Sequence, residues 1–302
     1  MANREKETPF NPLITVVIGT LNRPQFVLNL VKQLVDTSSN ISMEVLVVDQ
    51  SLSANWELLQ KQFPKLPHFS LVHFETPHTC KYLNYGWQHA LAPIVLYLDD
   101  DVTITTGTIQ SHLDEYKNTK IQGVAGRVIN DGEIISNNSQ VGNVLWYGAE
   151  FTKNFTYEKP TFVDFPYGCN MSFRKEVLQE VGGFDEGLFP PIYAYNEVDL
   201  GVRINKKWPN SIVFAPKALV YHHQYKRGGT RNDFELQQVV NSNNANYGYF
   251  LGKNFSFLEN VICLLRRAPY QLIKEPSAIP AITSGYISSH ATKAESNKKK
   301  GE

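Results

Sequence analysis

The chain has no surplus of charge of either sign: 29 lysines and arginines stand against 29 aspartates and glutamates. A nucleic-acid footprint needs a basic excess, so that class of partner is not expected. Cysteine is scarce, with Cys80, Cys169 and Cys263 far apart and none in the paired spacing of a zinc site. That argues against a disulfide framework and for a reducing compartment. No uncharged apolar run approaches the roughly 18 residues of a membrane span. The start, Met1 to Glu7, is polar and lacks the apolar stretch of a secretory signal. The Asn-x-Ser/Thr triplets at Asn137, Asn154, Asn170 and Asn254 therefore read as chance. Also missing are a G-x-G-x-x-G after the first apolar run and a G-x-x-x-x-G-K-[ST] anywhere. We expect a soluble cytoplasmic protein, at most touching the inner face of a membrane.

What is present suffices for one large or two small domains, since 42% of the 302 residues are hydrophobic. The β-branched run Ile14 to Ile18 reads as a strand, ended by Gly19-Thr20-Leu21-Asn22-Arg23-Pro24. Val27, Leu30, Val31, Leu34 and Val35 then form one helical stripe, with Pro24 in its first turn. Further strands are expected at Val45–Val48, Phe69–Phe74 and Ile94–Leu98, with a helix from about Lys81 to Leu91. The strands are apolar throughout instead of alternating, the pattern of a mostly parallel sheet with helices on both faces. A helix is expected to Tyr116, a strand from Val124 to Ile129, and a loop from Asn130 to Asn143. Tyr167 to Arg174 reads as a small-residue turn leading into a helix, Lys175–Val181, that Gly182-Gly183 stops. Short strands are expected at Ile212–Phe214 and Leu219–Tyr221, and a helical run from Phe234 to about Glu275. We expect a core domain over residues 1–225, a basic loop with a helical extension over 226–283, and a disordered polar tail over 284–302.

The chemistry gathers at Asp99-Asp100-Asp101, three adjacent carboxylates directly after an apolar strand. Such a cluster is costly unless a cation compensates it, and oxygen ligands point to Mg²⁺ or Mn²⁺ bridging to a substrate's phosphates. In open α/β sheets ligands bind outside the carboxyl ends of the strands. Thr20 to Arg23, Asp49-Gln50-Ser51 and the acidic triplet all stand at such ends, so three polar clusters converge on one edge. Asn196 is a candidate helix N-cap, and Glu197 and Asp199 are either first-turn acids serving the helix dipole or functional carboxylates. His222-His223 follow another apolar strand, as packed residues or as ligands. Lys226 and Arg227 lie in a glycine-containing basic loop with a preference for phosphate. The stretch Phe255 to Lys274 mixes apolar and basic residues and either packs on the core or lies on a membrane surface.

Taken in order, these pieces resemble the glycosyltransferase family 2 enzymes, which have the GT-A fold. The resemblance runs from about Leu13 to His223. It rests on Val16 to Arg23, Val47 to Ser51, Lys81 with Asn84, Leu98 to Asp101, Gly168 to Arg174, Val181 to Asp185, Glu197 to Leu200 with Arg203, and Val220 to His222. It implies an inverting transfer of sugar from a nucleoside-diphosphate donor, of UDP or dTDP type, to a saccharide or lipid-linked acceptor. Thr20, Leu21, Asn22 and Arg23 would line the nucleotide pocket, with Gln50 beside them and Asp49 bonding the base. Lys81, Asn84, Asp99 and Asp100 would face the diphosphate, ribose and donor sugar. Asp101 and His222 would hold Mn²⁺ or Mg²⁺, with Lys226 and Arg227 closing over the diphosphate. Cys169, Asn170, Met171 and Tyr195 would stand beside the acceptor. Glu197 would be the general base, although the family's Glu-Asp pair reads Asn196-Glu197 here. Gln50 stands where an acid is common, and Leu21 where an aromatic is. Two rivals are a non-catalytic nucleotide-sugar-binding module and a sugar-1-phosphate nucleotidyltransferase.

Overall fold

A computed structural model describes residues 10–145, 151–225, 229, 235–274 and 278–299. Its elements begin with β1 (Ile14–Thr20), α1 (Pro24–Ser38), β2 (Met43–Asp49), α2 (Ser53–Gln62), β3 (Phe69–His73) and α3 (Thr79–His89). Next come β4 (Ile94–Asp99), β5 (Val102–Ile104), α4 (Thr108–Glu115) and β6 (Gly123–Asn130). The short strands β7 (Asn143–Val144), β8 (Phe151–Thr152) and β9 (Thr161–Phe162) precede β10 (Asn170–Arg174), α5 (Lys175–Val181), α6 (Asn196–Lys207) and β11 (Ile212–His222). Three helices close the order: α7 (Leu236–Asn254), α8 (Phe257–Lys274) and α9 (Ala278–Lys299).

A nine-stranded sheet runs β3-β2-β1-β4-β10-β6-β11-β5, with β9 on the side of β11, and β7 pairs with β8 apart from it. Strands β1, β2, β3, β4, β6 and β11 share one direction; β5, β9 and β10 oppose it. Consecutive residues of β1 and β2 are buried, so both faces of that half of the sheet are covered, as the unbroken apolar runs require. On α1 the stripe Val27, Leu30, Val31 and Leu34 is buried, with Val35 at its edge. The register aligns the strand ends: Thr20 faces Asp49, and Gly19 faces Asp99. The polar clusters after β1, β2 and β4 therefore share one edge.

Four expectations need correction. The stretch expected as a turn before α5 is largely β10, a strand inside the sheet between β4 and β6. Its Asn170 and Ser172 are fully buried, and hydropathy gave no sign of it because the polar atoms are paired internally. Asn170 Nδ2 donates to the Ala218 and Arg127 carbonyls at 2.8 and 3.1 Å, while His112 joins Asn170 Oδ1 and Ser172 Oγ, each at 2.9 Å. Helix α2 was not foreseen; only Leu59 among its residues is buried, so its apolar periodicity is faint. The helical run expected to about Glu275 has a break that was not foreseen and forms α7 and α8, because Ser256 and Glu259 cap the start of α8. Glu259 Oε2 accepts from the Ser256 N–H and hydroxyl at 2.7 Å, and Ser256 Oγ accepts from the Glu259 N–H.

The tail expected as disordered forms helix α9 as far as Lys299, packed against α7. Little apolar surface is involved, because the two backbones approach directly through small residues. A Cβ on Gly248 would stand 1.9 Å from the Ile282 carbonyl oxygen, and one on Gly285 would stand 1.9 Å from that of Ala245. Helix α8 turns Phe257, Leu258 and Leu265 to solvent. Among the described residues no helix is long and apolar enough to cross a membrane.

Two stability measurements test these features. Gly285→Leu should cost about 1–3 kcal/mol by overpacking, whereas Ser284→Leu on the exposed side should stay within about 0.5 kcal/mol. Equal urea midpoints for the two variants would contradict the α7–α9 contact. Burial pushes the His112 imidazole down from 6.5 to about 4. The folded state therefore refuses a proton that the unfolded chain takes up below 6.5, and stability falls as pH drops from 6.5 to about 4. The loss is on the order of 3 kcal/mol, and His112→Asn should flatten that part of the stability–pH curve. An unchanged slope would contradict it.

Candidate active site

The acidic triplet occupies the corner between β4 and β5. Strand β11 pairs with β5, His222 opposite Val102, and the His223 N–H donates to the Asp101 carbonyl at 3.0 Å. Strand β10 pairs with β4 from the other side, and the Asp99 N–H points to the Cys169 carbonyl. Two segments distant in sequence, one of them more than a hundred residues away, thus bring Cys169 and His222 to the carboxylates.

The three acids have different environments. Asp100 is buried; its Oδ2 accepts from the Thr20 hydroxyl at 2.6 Å and its Oδ1 from Arg23 Nη1 at 3.1 Å. The same Nη1 donates to Asp101 Oδ2 at 2.9 Å, and Arg23 Nη2 reaches the Tyr225 carbonyl at 2.8 Å. Burial raises the Asp100 carboxyl to about 7 in spite of Arg23 and Thr20. Burial also opposes charge on Asp101, but the His222 ring and Arg23 hold that carboxyl below its ordinary value. The Arg23 guanidinium is depressed by burial and raised more by its two carboxylates, so it ends above its usual value. Asp99 is the open member, with its side chain 42% exposed.

His222 Nδ1 lies 2.9 Å from the Asn130 amide oxygen, and Nε2 faces the acids. Nε2 is 3.3 Å from Asp101 Oδ1 and 3.8 Å from Asp99 Oδ2. Ligand atoms of Asp99, Cys169 and His222 lie within 4.8 Å of one another. This carboxylate, imidazole and thiol set fits a divalent cation. Burial and the nearby Asp99 and Asp101 charges push the Cys169 thiol well up, so it would serve only by losing its proton on binding. Asp101, expected as a metal ligand, borders this group but shares its carboxylate with Arg23.

A cavity of about 750 Å³ opens from this corner. Thr20, Leu21, Arg23, Gln50, Asp99, Asp100, Asp101 and His222 line it, together with Cys169, Met171, Tyr195 and Glu197. Glu197 sits in the first turn of α6, and its carboxyl carbon lies 4.0 Å from where a Cβ on Gly168 would stand. The turn before β10 therefore runs alongside it. The helix starts at Asn196 after Tyr195, so Asn196 is not the N-cap; its side chain instead donates to the Tyr193 carbonyl at 2.9 Å.

Several expected site residues do not line the cavity. Asn22, at φ 56°, is a turn residue whose Oδ1 accepts from the Leu52 N–H and Asn55 Nδ2, each at 3.2 Å. Asp49 is buried and turned to Ser51 Oγ (2.6 Å) and His73 Nδ1 (3.1 Å). Asn84 spends its amide on tying α3 to the Phe184 loop, through the Phe184 N–H and carbonyl, Glu186 and Trp87. Asn170 serves the sheet as described, and Lys81 is exposed outside the cavity. Lys226 and Arg227 lie outside the described residues.

Asp199 is a structural acid. Its buried carboxylate accepts from Arg203 Nε at 2.8 Å, Lys253 Nζ at 2.9 Å and Asn254 Nδ2 at 2.8 Å. Burial alone would raise that carboxyl, but Arg203 and Lys253 bring it below the ordinary range. The network docks the end of α7 on α6. Helix α7 then lines the cavity with Val239, Val240 and Asn243, and its Phe250 and Tyr247 rings stand 5.8 and 5.7 Å from Tyr195. Phe151, also in the lining, completes that aromatic group at 5.4 Å from Tyr195. Sequence reasoning missed this wall, and the aromatic content of α7 was the one available signal.

The family model for "Glycosyl transferase family 2" matches residues 15–182. Among solved structures the chain is similar to the crystal structure of GalNAc-T7 with UDP, GalNAc and Mn²⁺, at 16% identity and a TM-score of 0.65, over 88% of this chain and 52% of that one. It thus spans about half the length of that protein. It is similar to the mannosyltransferase PcManGT from Pyrobaculum calidifontis in complex with GDP-Man and Mn²⁺, at 16% identity and a TM-score of 0.54, over 94% and 76% of the two chains. It is also similar to S. aureus TarS 1–349, at 14% identity and a TM-score of 0.57, over 90% and 80%. At these identities the likeness carries the fold alone. No curated protein matches the chain in sequence.

Proposed function

We propose, from the premise that this chain belongs to glycosyl transferase family 2 and has the GT-A fold, that it transfers a sugar from a nucleoside-diphosphate donor to an acceptor hydroxyl with inversion. One observation carries the reading: a single cavity joins the Asp99–His222 corner to Glu197. The corner is the donor end and Glu197 faces the acceptor. Glu197 takes the proton of the acceptor hydroxyl as that oxygen bonds to the anomeric carbon. The bond from that carbon to the diphosphate breaks in the same displacement, and its electron pair leaves with the diphosphate. One attack from the opposite face gives inversion.

Asp99 and His222, with Cys169 beside them, would hold a divalent cation, whose charge would offset that of the departing diphosphate. An imidazole in the donor set favours Mn²⁺ over Mg²⁺. Thr20 and Arg23 keep Asp100 and Asp101 compensated and so hold the corner in shape. The aromatic faces of Tyr195, Phe151 and Tyr167 suit the apolar C–H faces of a saccharide acceptor.

The test is release of nucleoside diphosphate from a panel of nucleotide sugars, with water as acceptor where no better one is known. Positioned base catalysis contributes about 10²- to 10⁴-fold, so Glu197→Gln should lower turnover by that factor and leave nucleoside-diphosphate affinity unchanged. Near-normal turnover in that variant would contradict the assignment. Absence of any release by the wild type would favour a binding module, and pyrophosphate as product would favour a nucleotidyltransferase.

A further inference from the structure

The end of β2 presents an amide where a carboxylate was expected to read the ligand. Gln50 lines the cavity although the residue is only 4% exposed. Its backbone N–H donates to the Thr20 carbonyl at 2.9 Å, which fixes it to the end of β1. Its side-chain oxygen accepts from the His78 backbone N–H at 2.6 Å. A backbone N–H can only donate, so this contact settles which way the amide points. The Nε2 amino group then faces the other way, and no described residue accepts from it. Gln50 lines the cavity, so an occupant that supplies an acceptor can take this hydrogen bond in place of water. Asp49 next to it is committed to Ser51 and His73 and does not line the cavity.

The surroundings indicate what part of a ligand meets that donor. Leu21, Thr79, Tyr82 and Leu83 line the same cavity, a largely apolar set suited to a flat ring. Strand β2 lies two strand spacings, about 10 Å, from β4 and Asp99. With the diphosphate at Asp99, the base of the nucleotide reaches toward Gln50. We propose that Gln50 selects the donor nucleotide by giving an Nε2 hydrogen bond to a carbonyl oxygen on the base edge opposite the ribose. Uracil, thymine and guanine carry an oxygen there, whereas cytosine and adenine carry an amino group that meets the amide donor head on. The inference rests on the donor reading above and sharpens it to carbonyl-bearing bases.

Calorimetry with UDP, GDP, CDP and ADP in the presence of Mn²⁺ tests it on the full chain. The wild type should bind UDP or GDP about 10-fold or more tightly than CDP and ADP, the size expected for one buried hydrogen bond made or left unmade. Gln50→Glu keeps an acceptor for His78 but replaces the donor, so the UDP-to-CDP ratio should fall by about 10-fold or invert. Gln50→Leu, checked for an intact thermal transition, should lose the preference without inverting it. Equal affinities in the wild type, an unchanged ratio in both variants, or loss of the ratio in Asp49→Asn instead would overturn the proposal. If no nucleoside diphosphate binds the wild type, the donor reading itself fails, and the two failures are thereby distinguished.

Discussion

One guanidinium serves two carboxylates at the edge of the sheet. Arg23 Nη1 reaches Asp100 at 3.1 Å and Asp101 at 2.9 Å. The sequence puts three aspartates in a row at the end of a buried strand, a charge density that the interior tolerates only with compensation. Arg23 and the Thr20 hydroxyl supply it for the two buried members, and Asp99 is the most exposed of the three acids that line the cavity. The rest of the corner follows from that division. His222 is oriented by Asn130, and its Nε2 meets the side of the cluster that Arg23 leaves uncovered. Truncating Arg23 would remove the guanidinium bonded to both buried acids, which is why the residue belongs to the architecture as much as to the site.

A second charged centre attaches the C-terminal helices to the cavity. Asp199 sits two residues after Glu197 on α6 and holds Lys253 and Asn254 of α7. Position and support are thus divided between neighbouring acids of one helix turn. Glu197 projects to the cavity, while Asp199 anchors the helix that forms the cavity's far wall. The Tyr195, Phe250, Tyr247 and Phe151 rings pack that wall. Helix α9 backs α7 through glycine contacts that require almost no apolar side chains. The C-terminal third is therefore built into the site.

The parallel half of the sheet was legible in the sequence because its strands are continuously apolar and their polar ends coincide in register. Thr20 and Asp99 could be located that way, whereas Glu197 was singled out through the family resemblance. What remained illegible had a common cause. Asn22, Asn84, Asn170 and Asp49 are polar residues at the right places in the chain, yet their hydrogen bonds are spent on loops and strands nearby. A side chain's type does not disclose where its partners lie. Strand β10 escaped notice because its buried Asn170 and Ser172 are satisfied by His112 and Tyr116. Helix α9 escaped because close backbone packing leaves no hydrophobic stripe. Cys169 was placed beside the acceptor, whereas its thiol stands with Asp99 and His222.

The central claim is that the corner at Asp99 and His222 holds a nucleoside diphosphate through a divalent cation. Titration of UDP into the full chain, once with Mn²⁺ and once with EDTA, tests it most directly by calorimetry. The account predicts that affinity is at least about tenfold higher with Mn²⁺, because the diphosphate otherwise meets the negative charge of the acidic triplet. Equal affinity in the two titrations would contradict it.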